Sequence, residues 1–330
     1  MHALWAQPCG RGSGVVLSEC LGAPPTPGHC FVGGARAIVA CVLVLLGFMA
    51  GFLGGLGEGA LGKQAWAELA ALGVNIEALE RVAGVPTRQV RVQLVGGDRQ
   101  FVGFAPAGTS RFADMQFYGQ QVSPSLLARA RFFVTGTLGL ASEPTATTIK
   151  SLVEQLRQKG ALILIDANWR PIFWPDPSSA PERIRPFLAQ AHFLKLAKEE
   201  SELFFSDSDP QLVYRALWGI APDHAVVITD GDQVIRYCWH GNQGELQPPS
   251  MPVVDTTGAG DGFVAGWIAQ LLQGSLENYR DPQWQTACLE FATVVGALVT
   301  TKRGAIAGQP TLAEVTQWLR DHPERKIRMS

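Results

Sequence analysis

From Arg131 onward, short apolar runs and amphipathic stretches alternate with little interruption. Strands are expected at Arg131 to Thr135, Ala161 to Ile165, His192 to Leu196 and Ala225 to Thr229. The last turns through Asp230-Gly231-Asp232 into Val234 to Trp239. Between and after them, apolar residues at helical spacing predict helices over Thr145 to Lys159, Pro181 to Gln190, Glu199 to Phe205 and Gln211 to Leu217. Further helices are expected at Phe263 to Gln273, Trp284 to Thr300 and Thr311 to Asp321. Such alternation argues for an α/β domain built on a doubly wound, mainly parallel sheet with helices on both faces.

The first third is less regular. Val15 to Leu17 could begin a strand, but residues 1–32 otherwise scatter Gly, Pro and Cys among short apolar pieces. Ala37 to Gly57 carries no charge over 21 residues, long enough to span a membrane as a helix. Glycines at 47, 51, 54, 55 and 57 cut the run, however. A buried helix over 37–46 and a buried parallel strand over 48–53 account for it equally well and are preferred. Because no cleavage pattern follows, a removable leader is a poor reading. Lys63 to Leu72 has helical spacing, and Val74 and Ile76 lead into a short helical piece around Leu79. Gln89 to Val95 alternates polar and apolar with period two, turns at Gly96-Gly97-Asp98 and returns over Gln100 to Phe104. That is a β-hairpin with one wet face, a lid spanning about 86–107.

Composition narrows the function classes. The 330 residues are 47 % hydrophobic, ample for a buried sheet. Formal charge is −2 from 27 basic and 29 acidic residues, and the absence of a Lys/Arg run argues against nucleic-acid partners. The six cysteines contain no Cys-x-x-Cys, which fits free thiols and a cytoplasmic protein.

The chemistry concentrates in residues 255–268, Asp-Thr-Thr-Gly-Ala-Gly-Asp-Gly-Phe-Val-Ala-Gly-Trp-Ile. We read this as a strand-to-helix turn. Gly258, Ala259 and Gly260 have little or no side chain, so their N–H groups can approach an anion closely. Asp261 is a carboxylate beside that nest. The apolar helix behind it, with Gly274 as its C-cap, directs partial positive charge at the same point. An anion cradle plus a base is what phosphoryl transfer to an alcohol requires.

This stretch resembles the second signature of the ribokinase-like, or PfkB, carbohydrate kinases, and other segments extend the likeness over roughly 33–318. Gly33-Gly34 resembles the start of the first signature. Asp166-Ala167-Asn168-Trp169-Arg170-Pro171, Phe112-Ala113-Asp114 and Gly136-Thr137-Leu138-Gly139-Leu140 resemble bacterial and plant fructokinases. Leu194 to Glu200 resembles the family's strand-to-helix metal motif.

The resemblance implies an ATP-dependent sugar kinase, with fructose the leading acceptor, formed by residues 33–330 behind a divergent segment 1–32. Asp261 would be the base, and Gly258, Ala259 and Gly260 the anion hole. Glu200 would orient hydrated Mg²⁺. Thr229, Gly231, Asn168 and Arg170 would contact the nucleotide from strand ends, and Gly33 and Gly34 would contact the sugar. Asp255, Thr257 and Gly304 would hold a monovalent cation such as K⁺. Relatives of this kind also pair through their lids, which implies a homodimer.

Two departures stand out. The family's first strand carries a sugar-binding Asp, of which residues 1–32 hold no copy apart from the misplaced Glu19. Ile38 stands where the first signature has a sugar-binding Asn. Losing such partners weakens discrimination, by on the order of 10⁴-fold in comparable sites. A catalytically impaired protein that binds nucleotide or a partner without turnover is the competing expectation.

Overall fold

Every residue of Ala50–Gly57 is buried, and so are Ile163, Leu164 and Ile165 in succession. Neighbouring strand residues point to opposite faces, so burial of all of them requires cover on both sides of the sheet. The computed structural model describes residues 3–4, 14–18, 25–26, 29–30, 34–95, 98–219, 223–302 and 308–325.

In chain order the first strands are β1 (Ala3–Leu4), β2 (Gly14–Ser18), β3 (Pro25–Thr26) and β4 (His29–Cys30). They are followed by α1 (Ala35–Leu45), β5 (Ala50–Gly57), α2 (Ala60–Ala71), β6 (Leu79–Val82), β7 (Gln89–Val95) and β8 (Asp98–Ala105). The middle of the chain forms α3 (Pro124–Arg129), β9 (Ala130–Thr135), α4 (Thr145–Gln158), β10 (Leu162–Asp166), α5 (Ala180–Leu188), β11 (Phe193–Ala197), α6 (Lys198–Phe205) and α7 (Pro210–Trp218). It ends with β12 (Ala225–Thr229), β13 (Ile235–Trp239), β14 (Asn242–Leu246), α8 (Ala259–Gln273), α9 (Pro282–Val299) and α10 (Leu312–Asp321).

The main sheet has the order β14-β13-β12-β11-β10-β9-β2-β5-β6, with β1 beside β2. Strands from β12 to β6 run parallel, and β13 and β14 add an antiparallel edge. β2 lies within the irregular first 32 residues and occupies the middle of the sheet between β9 and β5. The hairpin β7–β8 forms its own two-stranded sheet, running from Gln89 opposite Ala105 to Val95 opposite Asp98.

The uncharged run 37–57 divides into α1 and β5. Among the described residues no helix is long and apolar enough to cross a membrane. Two other expectations are corrected, and one strand, β14, was not expected. The piece around Leu79 is strand β6, not helix, because its backbone pairs with Gly54–Gly57 of β5. β14 had no signal of its own; its alternately exposed polar residues gain order only by pairing with β13. No strand leads into the signature helix: residues 251–258 are coil and turn, and α8 already begins at Ala259.

Candidate active site

Gly258 caps α8 with φ 87°, a left-handed conformation that a side chain would disfavour. The loop before it is tied down, since Val254 and Asp255 both donate their N–H to the carbonyl of Thr300 beyond α9, at 2.8 and 3.1 Å. Asp255 Oδ1 in turn accepts the Thr257 N–H at 3.0 Å. Asp261 therefore falls in the first turn of a 15-residue helix, on the positive end of its dipole. Gly260 is exposed, whereas Gly258, Ala259 and Asp261 are half-buried. The Ala259 N–H donates to the Thr256 carbonyl at 3.2 Å and that of Gly262 to Gly258 at 2.8 Å.

Close packing fixes this helix. A β-carbon on Gly266 would stand 2.8 Å from Cα of Ala292 in α9. Trp267 meets Phe193 of β11 edge-to-face at 5.6 Å.

Strand ends supply the groups behind the turn. Parallel register aligns Asp166 of β10 with Lys195 of β11, and Ala197 with Thr229 of β12. Lys195 Nζ donates to Asp166 Oδ1 at 2.9 Å, and Arg36 Nη2 donates to Asp166 Oδ2 at 2.8 Å. Burial works against the Asp166 charge, but Lys195 and then Arg36 outweigh it and hold the carboxyl at about 2. Lys195 Nζ lies 3.4 Å from where a β-carbon on Gly260 would stand, and Arg36 Nη1 is 3.8 Å from Asp261 Oδ1. Gly260, Asp261, Lys195, Asp166 and Arg36 thus form one cluster.

Beside it, Glu200 is buried and accepts the N–H of Trp169 at 2.7 Å and of Ala197 at 2.8 Å. Burial, and then the charge of Asp166, push its carboxyl above the ordinary glutamate value. Arg170 Nη1 stands 3.9 Å from Glu200 Oε1 with its side chain mostly exposed. Asn168, in the loop between Asp166 and Arg170, takes φ 40°. A carboxylate with an amide on each oxygen fits a hydrated cation reached through water better than direct ligation. Among the described residues no three His, Cys, Asp or Glu side chains cluster as a metal site.

A small cleft opens at the base of the hairpin, lined in part by Arg88, Asp114, Leu138, Gly139, Ser142 and Thr145. Arg88 packs against the rings of Phe104, Phe112 and Phe173 and bonds Asp114 at 2.9 Å.

Residues 23–312 match the family model for pfkB family carbohydrate kinases. The chain belongs to the pfkB family. This PfkB protein is 32 % identical to fructokinase-1 of Zea mays over 287 residues, 86 % of the chain and 87 % of that enzyme. It superposes on a fructokinase with bound ATP from Xylella fastidiosa with TM-score 0.85 at 24 % identity, covering 93 % and 98 % of the two chains. A fructokinase double mutant from Vibrio cholerae O395, in fructose-, ADP- and potassium-bound form, matches with TM-score 0.78 at 20 % identity, covering 92 % and 96 %. The fold is ribokinase-like and the protein is a carbohydrate kinase, a phosphotransferase.

Against this PfkB frame, the residues singled out from sequence disperse unevenly. Gly260 and Asp261 join the charged cluster, with Glu200 and Arg170 next to it. Thr229 Oγ1 reaches the Leu196 carbonyl at 3.4 Å. Gly231 sits in its own turn at φ 57°, near the Lys198–Asp230 pair. Asp255 and Thr257 contact each other. Gly34 caps α1; Gly33, Gly304 and Glu19 lie outside the described residues. Ile38 is 3 % exposed and belongs to the core. Sequence reasoning gave no role to Arg36 or Lys195. A lone charge inside Phe193-Leu194-Lys195-Leu196 was the available signal for the second.

Proposed function

We propose that this kinase transfers the γ-phosphoryl group of ATP to a hydroxyl of a small sugar, fructose being the leading acceptor. Asp261 receives the hydroxyl proton as the oxygen attacks. The first-turn amides of α8 around Gly258, Ala259 and Gly260, with Lys195 behind them, balance charge on the phosphoryl in flight. Thr229, Gly231, Asn168 and Arg170 would contact the nucleotide, and Gly33 and Gly34 the sugar. Glu200 would orient hydrated Mg²⁺, which supplies charge neutralisation at the phosphates. Asp255, Thr257 and Gly304 would hold K⁺. The hairpin β7–β8 is the lid and the surface for pairing two chains.

The observation that carries this reading is the placement of Asp261, 13 % exposed, in the open first turn of α8. The fructokinase relatives at about 30 % identity support the acceptor. The test is ADP release from ATP, Mg²⁺ and K⁺ with a panel of ketoses and ribose. Asp261→Asn should lower it by about 10²–10⁴-fold; unchanged turnover refutes the assignment.

A second reading rests on Ile38. Buried in the core, it cannot offer a sugar hydroxyl the polar partner that an Asn there would. A chain that binds nucleotide without turnover follows, recognised by calorimetric ATP binding with no sugar-dependent ADP release.

A further inference from the structure

We infer that Arg36 is a positioning residue of the phosphoryl-transfer site, its buried guanidinium anchored by Asp166 and holding the Asp261 carboxylate in place. The inference rests on the reading of Asp261 as the base.

Arg36 is the second residue of α1 and has no exposed surface. A cation is disfavoured both by burial and by the positive end of its own helix. Partners must therefore hold it there. Asp166 is one, through its Oδ2 at 2.8 Å and its carbonyl at 3.3 Å. Yet Asp166 is shared, because Lys195 from β11 occupies Oδ1 at 2.9 Å. Two buried cations thus face one buried carboxylate from β10. Asp261, entering from α8 at 3.8 Å, makes the group two cations and two carboxylates. Glu200 of α6 adds its field at Asp166.

The two distances to Arg36 differ in kind. At 2.8 Å Asp166 is hydrogen-bonded. At 3.8 Å Asp261 lies beyond hydrogen-bond reach of Arg36 Nη1 and is drawn toward it by charge. Gly136 leaves room for the Arg36–Asp166 pair just past β9: a β-carbon there would stand 3.1 Å from the Asp166 carbonyl and 3.2 Å from Arg36 Nη2.

The test compares wild type, Arg36→Lys and Arg36→Met by ¹³C NMR titration of labelled aspartate carboxyls, with the Asp261 signal assigned by its loss in Asp261→Asn. Removing the guanidinium should raise the Asp261 midpoint, with Arg36→Lys in between. At about pH 8, above the carboxyl range, Arg36→Met should still lower kcat by on the order of 10²-fold, with little change in KM for ATP. A midpoint identical in wild type and Arg36→Met overturns the inference. If wild type releases no ADP with any sugar, the kinase reading falls, while the titration still decides the role of Arg36. Should Arg36→Met fail to fold, Arg36→Gln, which keeps a hydrogen-bond donor toward Asp166 without the charge and leaves the Lys195–Asp166 pair intact, permits the same titration.

Discussion

Lys195 Nζ stands 3.4 Å from the point a β-carbon on Gly260 would occupy, so a strand-borne ammonium backs the first turn of α8. The same nitrogen bonds Asp166 at 2.9 Å. Lys195→Met would leave Asp166 buried with Arg36 as its remaining cation. A loss on the order of 3 kcal/mol in urea unfolding is expected, read as a lower midpoint at unchanged slope. An unmoved midpoint would show the pair to be energetically idle.

Gly266 sets how closely α8 approaches α9. A β-carbon there would also stand 3.0 Å from Val295, so Gly266→Val must push the helices apart. About 1–3 kcal/mol of stability should be lost. Turnover should fall with it, because Asp261 rides on the same helix. Thermal unfolding and ADP release measured together would expose the idea as wrong if either stayed at the wild-type value.

His192 makes the fold acid-sensitive from the opposite end of the strands. Its Nδ1 accepts the Ile163 N–H at 2.9 Å. Burial, and then the charge of Arg157, push the imidazole down to about 3 from its ordinary 6.5. Between those values the unfolded chain binds the extra proton and the folded one does not, so stability falls as pH drops through that window. His192→Asn keeps an acceptor without titrating and should flatten that slope in urea titrations run at several pH values.

Glu200 runs the other way. Its carboxyl is held above the ordinary value of 4.5, chiefly by burial, so its contribution weakens as pH rises from there through the raised value. Asp166, held at about 2, contributes fully above its ordinary 3.8 and loses that contribution as pH falls toward 2. Glu200→Gln should abolish the weakening above 4.5. It should also cost about 1–3 kcal/mol, since an amide oxygen cannot serve both the Trp169 and Ala197 N–H groups. A mutant with the wild-type pH slope would remove Glu200 from the account.

Much of the architecture was legible because strands and helices of this fold are short and locally periodic. The strands from Arg131 to Trp239 and the long helices fall within a few residues of their expected places. Leu79–Val82 failed because four residues carry too little periodicity, and pairing with β5 settled their state. β14 failed similarly: Asn242–Leu246 is mostly polar, and only β13 gives it a partner.

Residues 255–268 were legible by themselves as a glycine-rich turn with an acid beside it, because Gly-Ala-Gly-Asp before an apolar helix is a contiguous pattern and needs no distant partner. The charged group behind that turn could not be announced in this way. Arg36 and Asp166 are 130 residues apart, and Asp166 and Lys195 are 29 apart; each alone reads as an ordinary charge. The parallel register of β10 and β11, and the placement of α1 beside α8, bring them into one dry volume. There a buried charge must find its opposite, and that requirement appears only once the chain has folded.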